Sequence, residues 1–279
     1  MRRFLPLAVI VGLLAAPAPA RADVSDFPVY TGDEFKEMYD YAVRHSLPRL
    51  NQPAGRSSIT GDEELDDRIW SLALQRGYVL RPVASDGLVH ADGVPMQPEA
   101  AAAWTKLKAA AREAGLPFIV LSAYRSPDRQ RNLFNSKLAG TSDAAINAAL
   151  RWYSLPGTSK HHSGYALDFI YPNGTFGEFR QTPAYAWLEQ DNFHNAKRFG
   201  FVPSYPDDVS AQGPNPEPWE FVWVGVEMIR CGTPVDASVI GPTSGFVSQI
   251  VADVAECPGV LVTPGEATVG LPTWWYRIR

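Results

Sequence analysis

The segment 159–168 carries a histidine and an aspartate whose spacing could place both on one metal ion. His161 and Asp168 stand seven positions apart, and Gly164 lies between them. A glycine at that point lets the backbone turn tightly, so the two side chains can approach from neighbouring backbone segments. Zn²⁺ accepts both histidine nitrogen and carboxylate oxygen, but a single histidine and aspartate more often form a structural hydrogen bond. The spacing alone therefore leaves both interpretations open.

Further polar motifs stand on both sides of this segment in an ordered series. They comprise Ser-Ala-Tyr-Arg-Ser at 122–126 with Gln130, Pro-Gly-Thr-Ser at 156–159, Asn195-Ala196, and Glu-Pro-Trp-Glu at 217–220. Together, from Met96 to Gly225, they resemble the VanY-type D-alanyl-D-alanine carboxypeptidases. Those proteins are zinc peptidases whose fold is shared with lysostaphin-like enzymes and the hedgehog N-terminal domain.

The resemblance implies a role for each matching residue. His161 and Asp168 match the first two zinc ligands, and Glu217 matches the carboxylate that deprotonates the attacking water and later protonates the leaving amine. Arg125 resembles the arginine that stabilises charge on the attacked carbonyl. Gln130 and Ser159 resemble residues that hold the terminal carboxylate of the substrate, and Tyr124 is also expected to contact the substrate.

One position departs from the family pattern. The closing motif of the family normally ends in the histidine that is the third zinc ligand, and Glu220 stands there in this chain. A carboxylate can coordinate zinc, so His161, Asp168 and Glu220 could form the metal site. Two carboxylates would weaken the activation of water and could shift the preference towards Mn²⁺ or another cation. Alternatively, the site holds metal poorly and the protein only binds its target.

The composition and the N-terminus predict an exported globular protein. The chain has 279 residues, 46% of them hydrophobic, and a net charge of −5, which argues against a nucleic-acid binder that relies on positive charge. Residues 1–22 have the layout of a signal peptide, with cleavage near Ala20 or Ala22 and a secreted or periplasmic destination. The apolar run is too short to span a bilayer, and no later segment could do so. We expect a monomer.

The remainder of the chain is predicted to form one peptidase body with two accessory segments. The predicted body covers 96–227, an N-terminal segment 23–95 packs on it, and 228–279 forms a C-terminal appendage. Cys231 and Cys257 are the only cysteines, and export favours a disulfide between them.

The elements that must position the motifs can be predicted around them. Hydrophobic periodicity predicts helices over 62–77, 98–114, 143–152 and 183–199, and a serine cap followed by proline predicts another that starts at Ser126-Pro127. Strands are predicted over 118–121, which we expect to be buried, and over 166–170 and 219–224. Asp86-Gly87 is predicted to be a hairpin turn. On the first helix, the expected buried side is Leu65, Ile69, Leu72 and Leu74. The resemblance implies an α+β fold in which a small antiparallel sheet carries the metal site and helices pack on one face.

The function implied is an exported metal-dependent carboxypeptidase that removes a terminal D-alanine from the stem peptide of peptidoglycan. The alternative, motivated by Glu220, is a catalytically weak or inactive peptidoglycan-binding protein on the same fold. A third possibility keeps the chemistry but cleaves within the stem or cross-bridge. The residues do not distinguish D,D from L,D specificity.

Overall fold

A computed structural model of the chain describes residues 27–53 and 55–232. The predicted signal peptide 1–22 and nearly all of the predicted appendage lie outside the described residues. The predicted bridge between Cys231 and Cys257 also lies outside them, because Cys257 is not among the residues described.

The described residues form helices and short strands in a mixed order. In chain order these are α1 Gly32–His45, β1 Leu50–Asn51, α2 Glu63–Gln75, β2 Val83–Ala84, β3 Val89–Ala91, β4 Val94–Met96, α3 Pro98–Glu113, β5 Ile119–Ser122, α4 Pro127–Lys137, α5 Asp143–Leu150, a 3-10 helix Lys160–Ser163, β6 Ala166–Ile170, α6 Phe176–Phe179, α7 Pro183–Lys197, β7 Phe201–Tyr205, β8 Glu217–Trp223 and α8 Val226–Cys231. The predicted α+β class is confirmed.

The central sheet has four antiparallel strands in the order β5-β6-β8-β7. The strand β6 is buried along its whole length, since it lies between β5 and β8 and is covered on both faces. The pairs β1-β2 and β3-β4 form two small separate sheets. Residues 166–170 and most of the 219–224 run are strands, as predicted.

An aromatic cluster forms the core beneath the central sheet. The ring of Phe169 on β6 lies 5.3 Å from Trp104 of α3, 5.0 Å from Phe118 and 5.3 Å from Phe221 of β8, measured between ring centroids. Offset and edge-to-face contacts of this kind add to the burial of apolar area. The helix α3 is therefore fixed against the strands that carry the candidate site.

A second apolar cluster joins α2, α4 and α5. It contains Ile69 and Trp70 from α2, Phe134 from α4, and Ile146 and Leu150 from α5, all buried. Side-chain caps define where these helices begin, with Asp62 accepting from the N–H of Leu65 and corresponding serine caps on α4 and α5. The predicted helix starts at Ser126-Pro127 and at 143 are confirmed.

Three predictions of local structure are wrong. Leu74 is 49% exposed, because α2 turns Ile69, Trp70 and Ala73 to its neighbours and Leu74 lies one position past that stripe. The hairpin turn is at Asp92-Gly93, with φ of 53° and 82°, and not at Asp86-Gly87, because β2 pairs with β1 instead of β3. The strand β5 is an edge strand rather than a buried one, and leaves Leu121 51% exposed.

The helix α7 is interrupted rather than continuous. Asp191, Asn192 and Phe193 have φ of 50°, 57° and 65°, outside the range of a right-handed helix. The side chain of Asn192 accepts from the N–H of Tyr30 and donates to its carbonyl, both at 2.8 Å. Through these hydrogen bonds, the interruption connects α7 to the segment that precedes α1.

No helix among the described residues combines the length and the apolar character needed to cross a bilayer.

Candidate metal centre

The strand register places two carboxylates side by side. Asp168 on β6 is the direct cross-strand partner of Glu220 on β8, and Ser122 on β5 is the partner of Asp168 on its other side. Opposed residues in an antiparallel pair have their Cβ atoms about 5 Å apart on the same face of the sheet. Two acidic groups far apart in the sequence therefore meet at one point of the sheet.

A 3-10 turn brings His161 to the same point. The turn Lys160–Ser163 begins at Ser159, whose Oγ accepts from the N–H of His161 at 3.3 Å, and it ends at Gly164 with φ of 76°. A Cβ at Gly164 would lie 3.0 Å from Leu88 Cδ2, in a backbone conformation that side chains disfavour. The left-handed backbone thus favours glycine at this turn, and a side chain there would also be in tight contact with Leu88.

Three ligand atoms converge in this buried site. His161 Nε2 lies 3.2 Å from Asp168 Oδ1 and 3.2 Å from Glu220 Oε2, and one ligand atom of each residue lies within 4.8 Å of the others. All three residues are buried. His161 Nδ1 is 2.5 Å from the carbonyl oxygen of Ala123, which can only accept, so Nδ1 carries hydrogen and Nε2 faces the carboxylates.

The donor set fits a divalent cation. Asp168 Oδ1 is buried and has no hydrogen-bond partner among the described residues, an arrangement that is costly unless a cation meets the oxygen. Burial alone lowers the pKa of His161, but Asp168 and Glu220 outweigh it and raise that pKa to about 9. The centre therefore attracts positive charge, as a proton or as a metal ion. One imidazole and two carboxylates are ligands that Zn²⁺ and Mn²⁺ both accept.

Glu220 is held as an anion within the centre. Burial raises the pKa of Glu220, yet the charge and hydrogen bonding of His161 and the hydroxyl of Ser204 lower it to about 2. Ser204 Oγ donates to Glu220 Oε1 at 2.5 Å. A carboxylate that stays ionised when buried is suited to a metal ligand.

Glu217 lies at the start of β8, next to the three converging residues. Burial, and then the charges of Glu220 and Asp168, raise the pKa of Glu217 well above its ordinary range. Perturbed carboxylates of this kind are common where a proton is transferred. A cation bound beside Glu217 would offset the two neighbouring carboxylates.

Arg125 reaches the same site from the loop after β5. Its Nη2 lies 3.6 Å from Asp168 Oδ2 and donates to Ser122 Oγ at 3.2 Å, while Nη1 donates to Gln130 Oε1 at 2.8 Å. The neighbouring imidazole of His162 fixes this loop, because Nδ1 lies 2.6 Å from the carbonyl of Arg125 and Nε2 accepts from the N–H of Gly157 at 3.0 Å. His162 therefore supports the site and does not face the converging ligand atoms.

The residues predicted to contact substrate differ in their surroundings. Gln130 is fully buried, and its Nε2 donates to the carbonyl of Ser154 at 2.6 Å, so both ends of the amide are engaged within the protein. Ser159 is also buried and caps the turn of His161. Tyr124 is half-buried, and its N–H donates to the carbonyl of Pro95 at 2.8 Å. Contact of these three with substrate stays a prediction.

Sequence reasoning missed two residues that support Glu220. Ser204 on β7 donates to its carboxylate, and the buried Lys160 Nζ donates to the carbonyl of Ser204. Lys160 stands next to His161 in the motif, but its neighbours Tyr39 and Tyr205 come from distant parts of the chain. No local pattern in the sequence around Ser204 indicates this contact.

Comparisons with known proteins agree with the motif resemblance. Residues 93–226 match the family model VanY: D-alanyl-D-alanine carboxypeptidase. A D-alanyl-D-alanine carboxypeptidase of Enterococcus faecalis is 30% identical over 184 residues, which cover 63% of this chain and 66% of that protein. The chain thus spans slightly less than two thirds of the length of this curated relative.

Solved structures from the same group also align with the chain. A vancomycin resistance D,D-pentapeptidase VanY mutant in complex with Zn(II) is 30% identical, with a TM-score of 0.44, over 55% of this chain and 90% of that one. VanYB in complex with D-alanine-D-alanine is 30% identical, with a TM-score of 0.43, over 50% of this chain and 78% of that one. The family match and the curated relative confirm the resemblance seen in the motifs: residues 93–226 are similar to the D-alanyl-D-alanine carboxypeptidases of the VanY type.

Proposed function

We propose that the protein is a metal-dependent carboxypeptidase that removes a terminal D-alanine from the stem peptide of peptidoglycan. The observation that carries this proposal is the convergence of ligand atoms from His161, Asp168 and Glu220 within 4.8 Å of one another, beside the carboxylate of Glu217. The VanY family match supports the reaction class, and the curated relative supports the D-alanine leaving group.

The metal ligands in this proposal are His161, Asp168 and Glu220. When bound there, a divalent cation supplies Lewis acidity, which polarises the scissile carbonyl and makes water a stronger acid. Zn²⁺ is the cation we propose, and Mn²⁺ is the alternative because two of the three ligands are carboxylates.

The chain's own residues then carry the proton transfers. Glu217 accepts a proton from the attacking water and gives it to the nitrogen of the departing D-alanine, so one carboxylate serves both steps. The guanidinium of Arg125 stabilises negative charge on the oxygen of the attacked carbonyl. Gln130 and Ser122 hold that guanidinium in place before substrate arrives, through contacts of 2.8 and 3.2 Å.

The protein acts outside the cytoplasm in this proposal. Support comes from the basic start, short apolar run and small residues of 1–22, which lie outside the described residues. Export would deliver the enzyme to its peptidoglycan substrate.

The alternative of an inactive binding protein is not favoured. That alternative depends on Glu220 being unable to replace a histidine ligand, but the Glu220 carboxylate is ionised, buried and 3.2 Å from His161 Nε2. The substitution therefore keeps a ligand atom at the site.

Purified protein lacking residues 1–22 should be incubated with pentapeptide muropeptides after removal of metal and after addition of Zn²⁺ or Mn²⁺. We expect release of free D-alanine with metal and none after chelation, with Glu217→Gln inactive under both conditions. Mass analysis of the products distinguishes removal of the last residue from cleavage within the stem or cross-bridge. No release with any cation would contradict the proposed function.

A further inference from the structure

The two carboxylate oxygens of Glu220 have different partners. Oε2 lies 3.2 Å from His161 Nε2, at the convergence point of the candidate ligands. Oε1 accepts a hydrogen bond from Ser204 Oγ at 2.5 Å. One oxygen is therefore engaged by the protein, and the other faces the metal site.

The strand register explains why Ser204 is available to Glu220. On β7 and β8, Val202 pairs with Val222 and Pro203 pairs with Phe221, and continuing this register by one residue places Ser204 opposite Glu220. The pairing then shifts, since Tyr205 is paired with Glu217. Ser204 thus lies at this irregularity, between the paired residues Pro203 and Tyr205, and it continues the row that Asp168 and Glu220 begin across the sheet.

The backbone of Ser204 is held by a second contact. The ammonium of Lys160 donates to the Ser204 carbonyl, and it lies 4.8 Å from the ring centroid of Tyr39 and 4.3 Å from that of Tyr205. Ser204 itself has no exposed surface. Its hydroxyl therefore has little freedom to leave Glu220.

The arrangement at Glu220 parallels the one at His161. His161 has one ring nitrogen tied to the carbonyl of Ala123 and presents the other to the site. Glu220 has one oxygen tied to Ser204 and presents the other. A carboxylate without such a hydrogen bond can rotate, and it can then bind a cation through both oxygens or turn away from the cation. The hydrogen bond from Ser204 therefore determines how Glu220 would coordinate a metal.

We propose that Ser204 is a positioning residue that limits Glu220 to a single ligand oxygen and so lets a carboxylate occupy a one-atom ligand position. This proposal rests on the metal site of the proposed function. Loss of a hydrogen bond to a metal ligand commonly weakens metal binding about 10- to 100-fold. We expect that range for Ser204→Ala.

The test compares metal binding by metal-free wild type, Ser204→Ala and Ser58→Ala. Ser58→Ala is the matched control, because Ser58 Oγ donates to the carboxylate of Asp66 at 2.9 Å, outside the candidate site. Zn²⁺ affinity is measured by competition with a chromogenic chelator, and the visible absorption of the Co²⁺-loaded protein reports the coordination number. Circular dichroism of the metal-free proteins confirms that each variant is folded.

We expect Ser204→Ala to raise the Zn²⁺ Kd about 10- to 100-fold and to lower the Co²⁺ absorption as a second oxygen coordinates, with Ser58→Ala unchanged. An unchanged Kd and spectrum in folded Ser204→Ala would overturn the proposal. If that variant does not fold, Ser204→Gly is measured against the same criteria, since it also removes the hydroxyl and adds no group that could bind the metal. A wild type that binds neither Zn²⁺ nor Mn²⁺ would overturn this proposal and the proposed function together. Binding of Zn²⁺ without D-alanine release would overturn only the proposed function.

Discussion

Asp168 and Glu220 are direct cross-strand partners on β6 and β8, and together with His161 they enclose one point of the central sheet. The pairing makes the position of each carboxylate depend on the register of the whole sheet. A one-residue slip would turn either carboxylate to the opposite face. The aromatic contacts of Phe169 and Phe221, next to them on the same strands, hold that register.

Glu217→Gln should remove activity while leaving the metal site intact. The amide cannot accept the proton of water, so we expect kcat for D-alanine release to fall at least about 100-fold. Zn²⁺ content, measured by mass spectrometry on the same preparation, should stay at the wild-type level. Glu227→Gln is the control, because Glu227 is an exposed residue of α8 and pairs with Arg230. Equal activity of Glu217→Gln and wild type would contradict the role of Glu217 as the proton acceptor.

Glu220→Gln should weaken metal binding, because it replaces an ionised ligand with a neutral one at a buried site. We expect the Zn²⁺ Kd to rise by more than about 100-fold, beyond the effect of losing a supporting hydrogen bond. Glu220→His restores an uncharged nitrogen ligand and should bind Zn²⁺ and lower the affinity for Mn²⁺. Competition between the two cations checks both effects. If wild type binds no metal and Glu220→His binds it tightly, Glu220 is not a metal ligand and its presence prevents metal binding.

Arg125→Lys should be nearly as damaging as Arg125→Ala. The guanidinium bonds to Gln130 and Ser122 through two nitrogens at once, which a single ammonium cannot reproduce. Loss of a donor that stabilises developing negative charge costs about 100- to 1,000-fold in kcat. Steady-state kinetics on a muropeptide give kcat and KM separately. A change confined to KM would show that Arg125 binds substrate but does not act on the transition state.

The sequence was sufficient for the local parts of the site and insufficient for the parts that depend on sheet register. His161, Asp168 and the turn at Gly164 lie within one short segment. The ordered motifs around that segment carry the resemblance to the VanY-type carboxypeptidases, which the family match over 93–226 supports. Ser204 could not be found in this way, because its contact with Glu220 arises from pairing between β7 and β8.

The errors in local structure have the same physical origin. Asp-Gly occurs at 86–87 and at 92–93, and both pairs are acceptable turns by residue type. Only tertiary pairing decides between them, since β2 is taken by β1 and leaves β3 to pair with β4. The exposure of Leu74 likewise depends on which neighbours α2 meets.

Asp66→Asn should reduce stability at neutral pH and flatten its acid dependence. The carboxylate accepts from Ser58 Oγ, the Ile59 N–H, and the N–H and hydroxyl of Thr60. Burial raises the pKa of Asp66, but these hydrogen bonds outweigh it and leave the pKa below the ordinary 3.8. As the pH is lowered, the Asp66 carboxylate is therefore protonated at a lower pH in the folded state than in the unfolded state. This stabilisation is present above about pH 4 and is lost as the pH falls through the lowered pKa.

Chemical denaturation of wild type and Asp66→Asn between pH 3 and pH 7 measures this effect. We expect a loss of about 2 kcal/mol for the variant at pH 7, from weakened charged hydrogen bonds, and a smaller difference at the acid end. A difference in unfolding free energy that is constant across this pH range would contradict the assigned cause.

Gly164→Ala should damage the metal site as well as the fold, and Gly115→Ala separates the two effects. Both glycines have a left-handed backbone, with φ of 76° and 74°, so each substitution should cost about 1–2 kcal/mol of unfolding free energy. A Cβ at Gly115 meets nothing within 4 Å, whereas one at Gly164 would lie 3.0 Å from Leu88 and 3.2 Å from Gln97. Relief of that contact shifts the turn that carries His161, so only Gly164→Ala should raise the Zn²⁺ Kd. Equal Zn²⁺ affinity of the two folded variants would show that the turn tolerates the shift without moving its histidine.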